Sequence, residues 1–157
     1  MLAILIVGSP SDDPLAQRIG RALDGFGIPW EMRVASAHKT PAHLLALLEK
    51  CEAEPIPRVY VTVAGRSNAL SGLVDAHVSA PVIACPPYSD KYAGGDLLSS
   101  LRVPSGVAPA VVLEPQNAAL LAAKILALTA PDLRRRVQEA QEQQRRRLIE
   151  ADAALQE

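Results

Sequence analysis

Along the chain, short aliphatic runs alternate with longer stretches in which apolar positions recur at helical spacing. Five runs predict buried strands: Leu2–Gly8, Trp30–Ala35, Arg58–Ala64, Pro81–Cys85 and Ala110–Leu113. Most are β-branched or aliphatic and show little clean alternation. That pattern suits a parallel sheet covered on both faces better than a half-exposed antiparallel one. Trp30–Ala35 is the exception, because Glu31 and Arg33 alternate with apolar neighbours, and an edge position accounts for it.

Between the strands the period changes. Leu15, Ile19, Ala22, Leu23 and Phe26 mark a first helix, with Pro14 after the capping candidates Ser11, Asp12 and Asp13 and with Gly25 and Gly27 as stop signals. A second helix opens with Thr40 as cap and Pro41 in its first turn, and runs through Leu44, Leu45, Leu47, Leu48 and Cys51. Further helices are predicted over Ala69–His77, Gly94–Leu101 and Gln116–Leu128. Strand–helix repetition implies βαβ units, whose right-handed crossovers put helices on both sheet faces. The expected fold is α/β: a flavodoxin-like or Rossmann-like three-layer α/β/α sandwich around a parallel five-stranded sheet.

The tail, Pro131–Glu157, differs in character. Leu133, Val137, Ala140, Leu148, Ala151 and Leu155 draw a thin apolar stripe on a charged helix interrupted by Gln144. Two readings stand: a solvated helix lying on its own domain, or an arm packed on a neighbouring subunit. The triplets Arg134–Arg136 and Arg145–Arg147 are interspersed with Glu and Gln, which makes a solvated face rather than a nucleic-acid surface.

The 157 residues fit one domain, with residues 1–128 as α/β core and 129–157 as the C-terminal helix. At this size roughly two-thirds of the unfolded surface can be buried. Apolar residues make up 49% of the chain but aromatic ones only 3%, so Leu, Ile, Val and Ala must build the core. A net charge of −1 gives no global attraction to nucleic acid or an anionic membrane. Cys51 and Cys85 stand alone. The apolar start Met1–Val7 lacks a basic leader, and no run approaches the roughly 20 residues that span a bilayer. A reducing, cytoplasmic setting is expected.

Chemistry-bearing residues gather at the strand ends. In open parallel sheets ligands bind outside the carboxyl ends of the strands, near a switch in strand order. The four relevant loops are Gly8-Ser9-Pro10-Ser11-Asp12, Ser36-Ala37-His38-Lys39-Thr40, Gly65-Arg66-Ser67-Asn68 and Cys85-Pro86-Pro87. The first two lead into helices, whose N-termini favour anions. Ser36 and Lys39 add a hydroxyl and a cation, so a phosphorylated small molecule is expected there. Asp12 repels an anion but can accept hydrogen bonds from sugar hydroxyls; the competing reading of Ser11 and Asp12 is simple helix capping. His38 stands between Ser36 and Lys39, and an imidazole is the natural proton carrier at neutral pH. His43 falls among leucines of the second helix and His77 at the end of the third, where structural roles suffice.

Other chemistries fit poorly. No GxGxxG follows the first strand, and Gly65–Gly72 lacks the lysine of a triphosphate loop. There is no GxSxG elbow. His38 and His43 are five apart, which does not place two metal ligands on one helical face, and no metal site is expected. Cys85, beside two prolines and without an evident base, reads as a buried cysteine rather than a nucleophile.

The stretches GSPSD, SAHKTP, AGRSNALSG, ACPP, SSLRVPSG and EPQNAALLAAKI resemble, in order and spacing, the PurE family of purine biosynthesis, from about Gly8 to Leu128. The resemblance implies a flavodoxin-like fold, a homo-oligomer (tetramer or octamer), and carboxylation of the imidazole ring of 5-aminoimidazole ribonucleotide (AIR). Class I members rearrange N5-carboxyaminoimidazole ribonucleotide, whereas class II members use CO2 directly, without ATP, biotin or metal. Class I typically has arginine where this chain has Lys39, and a glycine-rich loop ending in a second histidine where this chain has Asn68. Both departures favour class II. Val7 replaces a methionine common among relatives, an apolar exchange of little consequence.

The resemblance also transfers roles. His38 matches the catalytic histidine, and Ser36 and Lys39 match phosphate-binding positions. Ser9, Ser11 and Asp12 lie on the loop that contacts ribose and phosphate, and Gly65, Arg66 and Ser67 on the loop that encloses the base and CO2. Ser99 and Ser100, with Arg102 and Pro104–Gly106, resemble a further wall of the site. Two alternatives stay open: a class I mutase, and a non-catalytic phosphoribosyl-binding module.

Overall fold

The computed structural model of the chain describes residues 1–156. Glu157, the last residue of the predicted tail, lies outside them. The expected strands form one parallel sheet: β1 (Leu2–Val7), β2 (Trp30–Val34), β3 (Arg58–Val63), β4 (Val82–Ala84) and β5 (Ala110–Val111). Their order is β2-β1-β3-β4-β5. The central strands β1 and β3 are buried almost throughout, which explains their continuous aliphatic sequence. β2 occupies an edge, where its alternating Glu31 and Arg33 reach solvent and pair at 3.4 Å. The edge position expected from that alternation is therefore found.

Alternation within each strand sorts the side chains to two cores. Ala3, Leu5 and Val7 of β1 join Val59, Val61 and Val63 of β3 on one face. There they meet α1 (Asp13–Asp24) through Ala16, Ile19 and Leu23, and α5 (Pro115–Leu126) through Ala118, Ala119, Ala122 and Ala123. Ile4, Ile6 and Tyr60 point the other way, onto α2 (Pro41–Glu52) through Leu44, Leu47, Leu48 and Cys51, and onto α3 (Ala69–Asp75) through Leu70 and Val74. The alanine row of α5 lets two helices and the sheet approach closely. The core is accordingly built from small and aliphatic side chains, with Tyr60 its one fully buried aromatic among the described residues. This is the flavodoxin-like α/β/α sandwich that the sequence predicts.

Two predicted elements change shape. The helix expected over Gly94–Leu101 is instead an irregular segment, Lys91–Leu97, of short 3-10 turns joined across a kink, followed by a single α-turn, α4 (Leu98–Leu101). Tyr92, Ala93 and Gly94 all take left-handed backbone conformations (φ 52°, 52° and 77°), which no regular helix accommodates. α3 ends at Asp75, short of the expected His77, whose ring Nδ1 instead lies 2.8 Å from the Leu73 carbonyl oxygen.

The tail forms the long helix α6 (Pro131–Ala154). Only Leu133 and Val137 are buried in it, both against the α1–α5 face, while Leu148, Ile149 and Leu155 are exposed. Its first turns therefore lie on the domain and the remainder does not. No helix among the described residues is long and apolar enough to cross a membrane.

Candidate active site

The strand order reverses direction between β1 and β3, and the chain opens a cleft there at the carboxyl edge of the sheet. Close backbone approach shapes it. A Cβ on Gly8 would stand 3.1 Å from the Cβ of Ala64, and one on Gly65 would stand 3.1 Å from the ring of Pro87. The resulting cleft is about 550 Å3 and is lined by Ser9, Ser11, Asp12, Ser36, His38, Lys39, Gly65, Arg66 and Ser67, among others. Loops from four different strands thus converge, with Pro87 closing the set after β4, as their polar composition suggested.

The loop after β2 is tied to itself. The Ser36 hydroxyl accepts the Lys39 backbone N–H (3.2 Å), and the Thr40 hydroxyl accepts the Ser36 N–H (2.9 Å). The Thr40 N–H also donates to the Ser36 carbonyl (2.9 Å). Thr40 holds the N-cap position of α2, as expected, but its side chain makes no capping bond because it turns back to Ser36. These contacts turn the loop into a closed ring that presents Ser36, His38 and Lys39 to the cleft, directly ahead of the α2 N-terminus.

The loop after β1 is a 3-10 turn, Pro10–Asp12, whose cap is Ser9: its hydroxyl accepts from Ser11 N (3.4 Å) and Ser11 Oγ (3.0 Å). Asp12 stands at the N-cap of α1 yet makes no side-chain capping bond. Capping therefore does not account for it, and its carboxyl lines the cleft instead. Burial pushes the Asp12 carboxyl above its ordinary range, with the Ser9 backbone N–H and the Arg66 guanidinium pulling the other way. A carboxyl so placed is a ready hydrogen-bond partner for hydroxyl groups.

The loop after β3 is held from outside. Arg66 is left-handed (φ 58°), a conformation that costs an L-residue roughly 1–2 kcal/mol. The Ser99 hydroxyl accepts the Asn68 N–H (3.0 Å) and lies 2.9 Å from the Arg66 carbonyl. Asn68 is buried. Its Oδ1 caps α3 at Ser71 N (3.2 Å), and its Nδ2 donates to Ser100 Oγ (3.0 Å). Ser99 and Ser100 accordingly do not line the cleft; their hydroxyls are engaged behind its wall.

Sequence reasoning missed Ser89, Lys91 and Asp96, which complete the rim from the segment after β4. The polar run Ser89-Asp90-Lys91 just beyond Pro86-Pro87 was the available signal, but the left-handed turn that folds it back over the cleft has no sequence signature apart from Gly94 and Gly95. Cys85 is buried, with its thiol pushed up to about 12 by burial and by Glu114 against the opposing Arg18. A thiol held neutral in this way is an inert core group. His43 is exposed on α2. Among the described residues no group of three or more His, Cys, Asp or Glu side chains is placed to hold a metal ion.

Comparison with known proteins agrees with this fold. The family model described as AIR carboxylase covers residues 2–147. The chain is 54% identical over 155 residues to a phosphoribosylaminoimidazole carboxylase of Archaeoglobus fulgidus, covering 99% of this chain and 85% of that protein. It is 49% identical to the enzyme of the same name from Treponema denticola, covering 98% and 97% of the two chains. The crystal structure of Treponema denticola PurE superimposes with a TM-score of 0.97 at 48% identity, covering 99% of each chain. With sequence and fold in agreement over nearly its whole length, the chain belongs to the AIR carboxylase (PurE) family of enzymes.

Proposed function

We propose that this enzyme is a phosphoribosylaminoimidazole carboxylase that adds CO2 directly to the imidazole ring of AIR, giving 4-carboxy-AIR (CAIR). The observation that carries the reading is His38 set between Ser36 and Lys39 on one closed loop that lines the same cleft as Asp12 and Arg66. In this arrangement Ser36, Lys39 and the α2 N-terminus hold the 5′-phosphate. Asp12, with Ser9 and Ser11 beside it, accepts from the ribose hydroxyls. Gly65, Arg66 and Ser67 wall off the base and CO2.

The amino-substituted imidazole is enamine-like, so its ring carbon is already nucleophilic. The cleft has to hold CO2 against that carbon and limit water. Carbon–carbon bond formation uses the enamine electron pair and leaves a tetrahedral ring carbon bearing both hydrogen and carboxylate. His38 then removes the proton, and the C–H electron pair restores the aromatic ring. In the reverse direction the protonated imidazole returns that proton before CO2 departs.

Asn68 supports the direct use of CO2. It stands where class I relatives carry a second histidine, and here the side chain is buried with both ends of its amide engaged. His38 is thus the one imidazole on the cleft wall among the described residues. Independence from ATP, biotin and metal, a cytoplasmic setting and assembly into a homo-oligomer (tetramer or octamer) belong to the same proposal. The exposed Leu148 and Ile149 of α6 support self-association. The test compares initial rates with AIR plus bicarbonate and with N-carboxylated AIR. Efficient turnover of the first is expected, and turnover of the second alone would make the enzyme a mutase.

A further inference from the structure

We infer that Ser99 is a positioning residue for the proposed reaction: its hydroxyl clamps the loop Arg66–Asn68 and so sets Arg66 in the cleft wall. The inference rests on the carboxylase reading for its kinetic consequence, but the clamp itself is a matter of geometry. One oxygen reaches both ends of a three-residue stretch, accepting the Asn68 N–H at 3.0 Å and lying 2.9 Å from the Arg66 carbonyl. Between these two contacts lies Ser67, and the left-handed Arg66 (φ 58°) leads directly into the first of them. An arginine gains nothing intrinsic from φ 58°, so something outside the loop must hold it there. Ser99 comes from α4, more than thirty residues away in sequence, and the neighbouring Ser100 fixes the Asn68 side chain from the same turn.

The hydroxyl also has a choice. It carries one proton, and a second acceptor, the Asp96 carbonyl, lies 2.8 Å away. Directed to Arg66, the proton closes the clamp at both ends. Directed to Asp96, it leaves only the Asn68 contact. Asp96 belongs to the 3-10 segment that also carries Lys91 to the rim, so Ser99 joins two otherwise separate walls of the cleft. Arg66 is close enough to act on the Asp12 carboxyl, which makes its placement matter to the opposite wall as well.

The experiment is a double-mutant cycle on the full chain, Ser99→Ala with Arg66→Ala, together with Ser99→Thr. Ser99→Ala is expected to lower kcat/KM about tenfold or more in folded protein, and Ser99→Thr, which keeps the hydroxyl, to return it to within about threefold. In the Arg66→Ala background the same Ser99→Ala change should cost less than about twofold, since there is no longer an arginine to place. Wild-type kinetics in Ser99→Ala, or an equal loss in both backgrounds, would overturn the inference. A second readout needs no turnover: hydrogen exchange at the Asn68 amide and tryptic cleavage after Arg66 should both accelerate in Ser99→Ala and recover in Ser99→Thr. If wild-type protein makes no CAIR, the carboxylase reading falls alone, and these two measurements still decide the clamp; unchanged rates in Ser99→Ala would overturn it.

Discussion

Two loops frame the candidate site and are built on opposite principles. Ser36–Thr40 is closed by hydrogen bonds among its own five residues, so its shape follows from local sequence. Arg66–Asn68 has a strained backbone and takes its shape from Ser99 and Ser100 on a distant turn. The first presents the groups that would hold phosphate and move a proton. The second presents a wall that must fit against them. A self-contained loop can tolerate change elsewhere in the fold, whereas a loop held from outside couples the site to the packing behind it.

The largest expected effect tests the chemistry assigned to the self-contained loop. His38→Asn should lower turnover by about a thousandfold or more, within the span of general acid–base catalysis, while calorimetry still detects nucleotide binding. Near-wild-type turnover would remove His38 from its role. On the other loop, Asn68→Ala should lower unfolding free energy by about 1–3 kcal/mol, because it strips the α3 cap and leaves the Ser100 hydroxyl and Ser71 N–H without partners in the interior. Denaturant titration reads that loss.

Lys39→Met should raise KM about tenfold with a smaller change in kcat, the mark of an interaction made equally in ground and transition states. Thr40→Val should cost only about 1 kcal/mol in thermal unfolding, since the Ser36 N–H it abandons can turn to water at the partly exposed rim. If Thr40→Val proves as damaging as Asn68→Ala, the contrast between the loops is lost.

The smallest effects are in pH, and their signs oppose. The Asp12 carboxyl is raised by burial, so its protonated form favours the fold. That contribution is present in acid and is lost as pH rises through the folded value, leaving ionised Asp12 a liability at neutral pH. Asp12→Asn should therefore raise the melting temperature at pH 7 while weakening nucleotide binding. At the sheet's other end, burial pushes the Glu52 carboxyl up, but the Ser79 N–H and hydroxyl, the Tyr60 hydroxyl and Arg58 outweigh it and hold it below its ordinary range. Its stabilisation is present above the unfolded value and fades as pH falls through the folded one. Glu52→Gln should flatten the acid limb of the melting-temperature profile.

What the sequence made legible follows the same division. The sheet, its β2 edge and the helices with strong apolar periodicity were readable because burial dictates composition at each position. The Ser36–Thr40 loop was readable because its chemistry is contiguous. The segment from Tyr88 to Leu101 was not, because its left-handed residues include Tyr92 and Ala93, side chains that give no turn signal. Ser99 and Ser100 were read as lining residues by resemblance, yet their hydroxyls serve a loop more than thirty residues away. Nothing in either residue's neighbourhood along the chain could have revealed that.

The central claim for the loop Ser36–Thr40 is that its histidine serves a carboxylation that takes CO2 itself. Incubating the enzyme with AIR and isotopically labelled bicarbonate, without ATP, tests that directly. The account predicts labelled carboxylate on the imidazole carbon of the product at a rate that depends on His38. No label from bicarbonate, alongside ready conversion of N-carboxylated AIR with its own carboxyl retained, would contradict it.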